Sequence, residues 1–100
     1  MSCFAMADGW VYIMTNKYNK VLYTGMTGNL KERIRLHKTK RYPGSFTARY
    51  NVEKLVWYQW YKDITDAYRH EQQIKAGSRQ KKIDLINTMN PEWKDLYDTL

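Results

Sequence analysis

The sequence predicts a mixed α/β (α+β) fold, in which a three-stranded antiparallel β-sheet is flanked by helices in the order β-β-α-β-α-α. Three short runs rich in aromatic and β-branched residues predict the strands, two of them close together near the start of the chain. Apolar residues at helical spacing follow the second and third runs and predict the helices. A sheet with helices packed against it buries all of these apolar faces.

The first two strands are predicted at residues 10–15 and 21–24, with Gly25 ending the second strand. The segment between them, 16–20, is polar and typical of a turn. Because so short a connection places the two strands side by side, we expect an antiparallel hairpin.

The first helix is predicted at residues 30–39, with Asn29 as its N-cap. A loop is expected at 40–50, with one helical turn at 46–50. The third strand is predicted at 55–61, where aromatic residues point to both faces, so helices should cover both sides of the sheet.

Two further helices are predicted at residues 64–76 and 79–88, capped by Asp63 and Ser78, with Gly77 at the C′ position of the first. A last short helix is expected from Pro91, with Asn90 as its cap. The residues that should dock from one face of this helix onto the core are Trp93, Leu96 and Tyr97.

Length, charge and cysteine content limit the class of protein. One hundred residues form one predicted domain at 9–97, preceded by a flexible tail at 1–8. Lys and Arg number 17 against 10 Asp and Glu, and the charge of +7 favours a polyanionic partner. The single cysteine, Cys3, cannot form an intramolecular disulfide, which indicates a cytoplasmic protein. No apolar run approaches the ~20 residues that span a bilayer.

Glu71 is a carboxylate at a position where helical spacing predicts burial. The apolar members of the same predicted stripe are Ile64, Ala67, Tyr68 and Ile74. A buried carboxylate is costly unless it is paired or bound to a metal. The residues alone leave two interpretations open: a structural pair with Arg33 or Lys75, or a metal-binding or catalytic role.

Arg33 and His37 share a face of the first predicted helix with Leu30 and Ile34. A guanidinium at the edge of a cleft can hold a phosphate through two parallel hydrogen bonds, and a structural salt bridge is the alternative. His37 could act as a general base or a phosphate donor, although a lone histidine on a partly apolar face is more often structural.

Tyr12 and Tyr23 lie on the two neighbouring strands of the predicted hairpin. Most tyrosines in strands only pack against the core. Beside an arginine and a carboxylate, however, their hydroxyls could orient a water and hold a phosphate oxygen.

Two segments are rich in basic residues, and the first mixes them with hydroxyl and aromatic side chains, the types that contact phosphates and stack on bases. The first contains Lys38, Lys40, Arg41, Tyr42, Ser45, Thr47, Arg49 and Tyr50, and the second contains Lys75, Arg79, Lys81 and Lys82. The predicted nucleic-acid contacts among them are Lys38, Lys40, Arg41, Thr47, Arg49, Lys75 and Arg79. A solvated charged surface is the alternative for both segments.

Together these segments resemble the GIY-YIG nuclease family, in particular its small single-domain bacterial members. The resemblance extends over residues 9–97 and rests on Val11-Tyr12-Ile13, Tyr23-Thr24-Gly25, Asn29 to Arg33 with His37, Tyr68 to Lys75, Gly77 to Lys82 and Asn90 to Lys94. Val11 replaces the glycine of the first triplet, while the tyrosine position is kept. Asn87 is the counterpart of the family's late asparagine.

The resemblance implies cleavage of nucleic acid that depends on Mg²⁺ or Mn²⁺. By position, Tyr12 would lie near the attacking water and Tyr23 would help to hold the scissile phosphate. Arg33 would stabilise the charge of that phosphate, and Glu71 would bind the metal. With His37 added from the helix face, these are the predicted catalytic residues.

The sequence therefore predicts a metal-dependent endonuclease that acts on DNA, including branched, damaged or single-stranded forms. Two alternatives on the same fold are a nucleic-acid-binding module without catalysis and a protein-interaction domain. Cleavage, binding without cleavage, or neither separates the three.

Overall fold

A three-stranded antiparallel sheet with helices on both faces organises residues 7–100, the part of the chain that the computed structural model describes. The predicted fold class and element order are confirmed. Cys3 and most of the predicted tail lie outside the described residues. At the start of the described chain, the Ala7 carbonyl accepts a hydrogen bond from the backbone N–H of Ile64, at 2.8 Å.

The strands are β1 (Gly9–Asn16), β2 (Leu22–Thr27) and β3 (Val52–Tyr61), arranged in the order β2-β1-β3. Both neighbours run antiparallel to β1, so the predicted hairpin is confirmed. Because the central strand is covered on both faces, nearly all of its residues are buried, without the alternation of a half-exposed strand.

Gly25 lies inside β2, and the prediction that it ends the strand is wrong. It pairs directly with Tyr12 across the hairpin. A Cβ atom at position 25 would lie 2.5 Å from the Tyr12 hydroxyl oxygen and 2.6 Å from the ring carbon that bears it. Glycine is therefore required here by the close approach of an aromatic ring, and no turn is involved.

The helices are α1 (Leu30–Lys38), α2 (Phe46–Arg49), α3 (Ile64–Ala76) and α4 (Arg79–Met89), followed by a short 3₁₀ turn at Tyr97–Thr99. The predicted caps Asn29, Asp63 and Ser78 each accept a backbone N–H of the first turn, which satisfies a group that the helix leaves free. Gly77 follows α3 with a negative φ of −77°, so the helix ends without a left-handed residue.

The alternating side chains of β1 separate two cores. Val11 and Ile13 pack in the core that contains Ala67 and Ile74 of α3 and Ile86 of α4. The opposite core contains Tyr12 and Met14 together with Leu30 and Ile34 of α1 and Leu55 of β3. Consequently α1 and α3, the two helices with predicted catalytic residues, lie on opposite faces of one sheet.

The inward stripe of α3 differs from the prediction at one position. Ala67, Glu71 and Ile74 are buried, whereas Tyr68 is 54% exposed. Positions i, i+4 and i+7 lie along one line of a helix, and Tyr68 falls to its side. Glu71 thus places a carboxyl group on the buried stripe of α3.

The segment after Pro91 is a turn followed by irregular backbone at 93–96, where a helix was predicted. The amide of the buried Asn90 donates to the carbonyls of Val56 and Lys94, at 3.1 and 2.7 Å, and fixes the chain in a turn. Trp93 then packs on the α3–α4 core, while Leu96 packs on the opposite core. No helix among residues 7–100 is long and apolar enough to cross a membrane.

Candidate active site

The Tyr12 hydroxyl is the centre of the candidate site. Tyr12 is only 1% exposed, and its hydroxyl oxygen lies 2.9 Å from Nε2 of His37. Burial raises the pKa of Tyr12 above its usual range, and the neighbouring Tyr23 raises it further. Tyr12 therefore keeps its proton at neutral pH and can act as a hydrogen-bond donor.

His37 is held in one orientation by two hydroxyl groups. Besides its contact with Tyr12, its Nδ1 lies 2.8 Å from the hydroxyl oxygen of Thr47 on α2. Burial, followed by the positive charge of Arg33, lowers the pKa of His37 to about 4. At neutral pH the imidazole is uncharged, so one ring nitrogen donates a hydrogen bond and the other accepts one.

Arg33 projects from α1 beside Tyr12, and the Tyr12 hydroxyl raises the pKa of this guanidinium. It lines a pocket of about 90 Å³, which we call the arginine pocket. The other residues around this pocket are Tyr23, Leu36, His37, Lys40, Tyr42, Ser45, Phe46 and Thr47. A fixed positive charge on a pocket wall with hydroxyl groups is suited to a phosphate.

Tyr23 connects the buried site to an exposed aromatic surface. Its ring lies 5.5 Å from the His37 ring and stacks on Phe46 at 6.0 Å, measured between centroids. Phe46 in turn lies 4.8 Å from the ring of Tyr50, and both Phe46 and Tyr50 are exposed. Flat apolar faces next to a phosphate-sized pocket are suited to bases that are not stacked in a duplex.

Glu71 is 6% exposed, and its carboxylate is paired with Lys75 one turn later, at 3.3 Å. The side-chain amide of Gln72 also donates to Glu71, at 3.0 Å. Of the two predicted partners, Lys75 is the one observed. The negative charge of Glu71 makes a small contribution to the raised pKa of Tyr12, although the two side chains come from opposite faces of the sheet.

A metal ion that used Glu71 would have one carboxylate from the protein. No group of three or more His, Cys, Asp or Glu residues is placed to hold a metal within residues 7–100. Mg²⁺ suits such a site, because it keeps several waters and takes further oxygens from substrate phosphates. Lys75 is exposed enough to leave the carboxylate, so the residues present fit a one-carboxylate metal site.

A second groove begins on the other side of Tyr23. Its walls are Leu22, Tyr23, Thr24, Phe46, Lys75 and Lys82, and its volume is about 340 Å³. The hydroxyl of Thr24 is buried and has no hydrogen-bond partner among the described residues. A buried hydroxyl of this kind is free to bond a water or a ligand.

The sequence model of the GIY-YIG catalytic domain matches residues 8–84, more than three quarters of the chain. The chain belongs to the GIY-YIG family. It therefore has the domain of a nuclease family, whose substrates are nucleic acids.

Curated relatives of this GIY-YIG protein are also small. A UPF0213 protein of Syntrophus aciditrophicus (strain SB) is 34% identical over 87 residues, covering 87% of this chain and 98% of the relative. A UPF0213 protein of Staphylococcus haemolyticus is 36% identical over 81 residues, covering 81% and 96%. The solution NMR structure of the UPF0213 protein BH0048 from Bacillus halodurans is similar with a TM-score of 0.56 and 26% identity, covering 88% of this chain and 92% of that chain.

The GIY-YIG domain brings four predicted catalytic residues of β1, β2 and α1 together, namely Tyr12, Tyr23, Arg33 and His37. The fifth, Glu71 of α3, is linked to them through its charge. The predicted nucleic-acid contacts are more dispersed. Arg41 and Arg49 are exposed, each 5.8 Å from the ring of the tyrosine that follows it. Lys75 pairs with Glu71, and Arg79 donates to a carbonyl of the β1–β2 turn at 3.3 Å.

Three further predicted contacts also have partners within the protein. The Lys38 ammonium pairs with Asp95 and donates to the Glu53 carbonyl at 2.8 Å. Lys40 donates to the side chain of Asn51 at 2.6 Å. Thr47 is 3% exposed and turned inward to His37, so in this structure it orients an imidazole and does not lie on the surface.

Sequence reasoning missed the functions of Thr47 and Gly25 in the GIY-YIG site. Both depend on contacts between elements, and no local pattern at 24–26 or 45–49 indicates them. Asn87, the predicted counterpart of the family's late asparagine, accepts a hydrogen bond from the indole N–H of Trp93 at 2.8 Å, which holds the C-terminal segment.

Proposed function

We propose that this protein is an endonuclease that hydrolyses phosphodiester bonds in DNA and depends on a divalent metal, Mg²⁺ or Mn²⁺. The observation that carries the proposal is the environment of the Tyr12 hydroxyl. It is hydrogen bonded to His37, and the charges of Arg33 and Glu71 both affect the pKa of Tyr12. A hydroxyl, a guanidinium and a carboxylate around one point can position a water, a phosphate and a cation.

Tyr12 and His37 form a path for the proton of the attacking water. With its Nδ1–H donated to Thr47, neutral His37 accepts the Tyr12 O–H at Nε2. The Tyr12 oxygen can then accept a proton from a water. As the water attacks phosphorus, its proton passes to the Tyr12 oxygen while the original Tyr12 proton passes to His37 Nε2.

Arg33 and Tyr23 would hold the phosphate. Both line the arginine pocket, and the charge of Arg33 is permanent because its pKa is raised. The negative charge on the phosphate oxygens increases in the transition state, and a fixed guanidinium stabilises that state more than the ground state.

Glu71 would hold the metal ion. When bound, the ion supplies Lewis-acid stabilisation of the leaving oxygen. Glu71 itself contributes a buried negative charge that attracts the cation and is balanced by Lys75 in its absence.

The exposed aromatic surface favours substrates with unstacked bases, that is branched, damaged or single-stranded DNA. Phe46 and Tyr50 are accessible directly beside the Tyr23 ring. A stacked base on each would place the adjoining phosphates near Arg33.

The test measures cleavage of duplex, single-stranded and branched DNA and RNA in EDTA, Mg²⁺ and Mn²⁺. We expect metal-dependent cleavage that Tyr12→Phe reduces at least about 100-fold, within the range of proton-transfer catalysis. Tyr23→Phe should give a smaller loss. Tyr58→Phe is the matched control, because Tyr58 is the partner of Tyr12 on β3.

Full activity of Tyr12→Phe would contradict the proton path. Binding of DNA without cleavage in either metal would favour the non-catalytic binding module, and neither binding nor cleavage would favour the protein-interaction domain.

A further inference from the structure

A broad groove at the turn end of the β1–β2 hairpin is not used by the proposed chemistry. Its volume is about 770 Å³, far more than the 90 Å³ of the arginine pocket. The residues of this hairpin groove that matter here are Lys17, Tyr18, Lys40, Tyr50, Lys54 and Asp95. Tyr18 is 71% exposed.

The groove carries uncompensated positive charge. Its acidic members are already engaged: Asp95 pairs with Lys38 and accepts the backbone N–H of Leu55, and Glu53 lies 3.7 Å from the Lys40 ammonium. Lys17 and Lys54 have no ion-pair partner in the part of the chain from Ala7 onward. A groove of lysines with two accessible tyrosine rings is suited to a polyanion with flat aromatic groups.

The hairpin groove continues the active site. Lys40 lines both the arginine pocket and the hairpin groove. The rings of Tyr23, Phe46 and Tyr50 follow one another at 6.0 and 4.8 Å, and Tyr50 is in the groove wall. A strand that leaves the scissile phosphate over Phe46 therefore arrives at Tyr50 without crossing a barrier of negative charge.

We propose that the hairpin groove is a second binding site for a single nucleic-acid strand, which receives the nucleotides on one side of the scissile phosphate. Lys17 and Lys54 contact phosphates, and Tyr18 and Tyr50 stack on bases. The proposal rests on the proposed nuclease function and adds the path of the substrate to it.

The geometry sets the length of DNA at which the groove begins to contribute. Tyr12 and Asn16 are four residues apart on β1, about 13 Å at the rise of a strand. At about 3.4 Å per stacked nucleotide, this is about four nucleotides from the scissile phosphate. Shorter arms should not reach the groove.

The experiment compares the wild-type protein with the double variant Lys17→Ala/Lys54→Ala. Binding of single-stranded DNA of about 3 and about 20 nucleotides is measured in EDTA at several salt concentrations, because only the longer strand spans the about four nucleotides to the groove. For the long strand we expect the slope of log affinity against log salt to fall by about 1.4, at about 0.7 for each phosphate that a lysine no longer neutralises. Binding of the short strand and its cleavage in Mg²⁺ should not change.

Tyr18→Ala is the second variant, because an exposed turn residue can be changed without affecting the core. It should weaken binding of the long strand about fivefold or more, the effect of removing one ring on which a base stacks. The matched control is Lys31→Ala/Lys62→Ala, which removes two exposed lysines away from the hairpin groove. Substrates with the long arm placed on either side of the cleaved bond identify which side enters the groove.

The result that overturns the proposal is wild-type affinity of both groove variants for the long strand, or an equal loss for long and short strands. Failure of the nuclease function is distinguishable. If the wild-type protein binds DNA without cutting it, the catalytic proposal fails while the binding comparison still decides the groove. If it binds no DNA, both fail.

Discussion

The two helices of the candidate site supply functional groups of different charge that are held in different ways. The α1 side presents a neutral imidazole, His37, that is fixed by hydrogen bonds with Tyr12 and Thr47. The α3 side presents a buried negative charge, Glu71, that is balanced by an exposed lysine one turn away. One half is fixed by short hydrogen bonds between buried groups, and the other by a pair that includes a long, flexible side chain.

This difference indicates which half is complete without a ligand. The α1 half has its hydrogen bonds satisfied and needs no further ordering when substrate arrives. The α3 half contains a carboxylate whose partner can return to water, so a cation can take that place. Substitutions on the two sides should therefore have different effects on cleavage and stability.

The largest expected effect comes from Glu71→Gln, which removes the charge of the α3 half and keeps its shape. We expect metal-dependent cleavage to be lost and DNA binding to persist, because most phosphate contacts lie elsewhere. The free energy of unfolding should change by about 1 kcal/mol or less, since the released Lys75 is exposed and can be hydrated. Thermal melting, metal titration and cleavage on one preparation measure all three.

Asp66→Asn is the control for Glu71→Gln, because it removes an exposed carboxylate from the same helix. Wild-type cleavage by Glu71→Gln in Mg²⁺ would sink the proposed mechanism. Loss of folding would instead favour a purely structural Glu71–Lys75 pair.

The next effect concerns the charge on α1. Arg33→Lys keeps a positive charge but loses the planar pair of donors. We expect cleavage to fall about 100- to 1,000-fold, the range found when one transition-state donor is removed, with little change in melting temperature. Arg35→Lys, on the exposed side of the same helix, is the control. A normally active Arg33→Lys protein would show that this residue is a structural partner.

The neutral state of His37 can be tested through the pH dependence of stability. The unfolded chain takes up a proton on histidine near pH 6.5, whereas folded His37 does so only near pH 4. Between these values a falling pH favours the unfolded state. Through His37, the free energy of unfolding of the protein should therefore fall by about 3 kcal/mol as the pH falls from 6.5 to 4.

Denaturant unfolding at several pH values measures this loss. The pKa of His70 is also lowered by burial and adds to the slope, so His37→Gln and His70→Gln must be compared. We expect the His37 variant to lose the larger part of the slope. An unchanged slope in His37→Gln would mean that the imidazole is not held neutral by its surroundings.

The smallest expected effect concerns the close contact between Gly25 and the Tyr12 ring. Gly25→Ala places a methyl group 2.5 Å from the Tyr12 hydroxyl and forces the ring to move. We expect destabilisation of about 1–3 kcal/mol, typical of overpacking, with a partial loss of cleavage. Gly44→Ala is the control, because nothing lies within 4 Å of a Cβ atom there. Equal stability of the two variants would contradict the close packing of Tyr12 over Gly25.

Local sequence determined the elements of this protein and where most of them begin. Asn29, Asp63 and Ser78 cap their helices as predicted, because a capping side chain bonds a backbone group only a few positions away. The burial of Glu71 also followed from helical spacing alone. The predictions that failed, such as the helix after Pro91, concern segments whose backbone is held by distant partners such as Val56.

The fold class and the family could be predicted from the sequence, because strand and helix periodicity, caps and ordered motifs are local properties. The same motifs predict the five side chains of the candidate site. How those side chains combine depends on the tertiary structure. Three contacts depend on packing. Glu71 pairs with Lys75, Thr47 orients His37, and the Tyr12 ring occupies the space next to Gly25 where a side chain would lie. Packing also turned Lys17, Tyr18 and Lys54, which carry no motif, into the walls of one groove. Such contacts depend on the summed geometry of every strand and helix, which no short stretch of sequence contains.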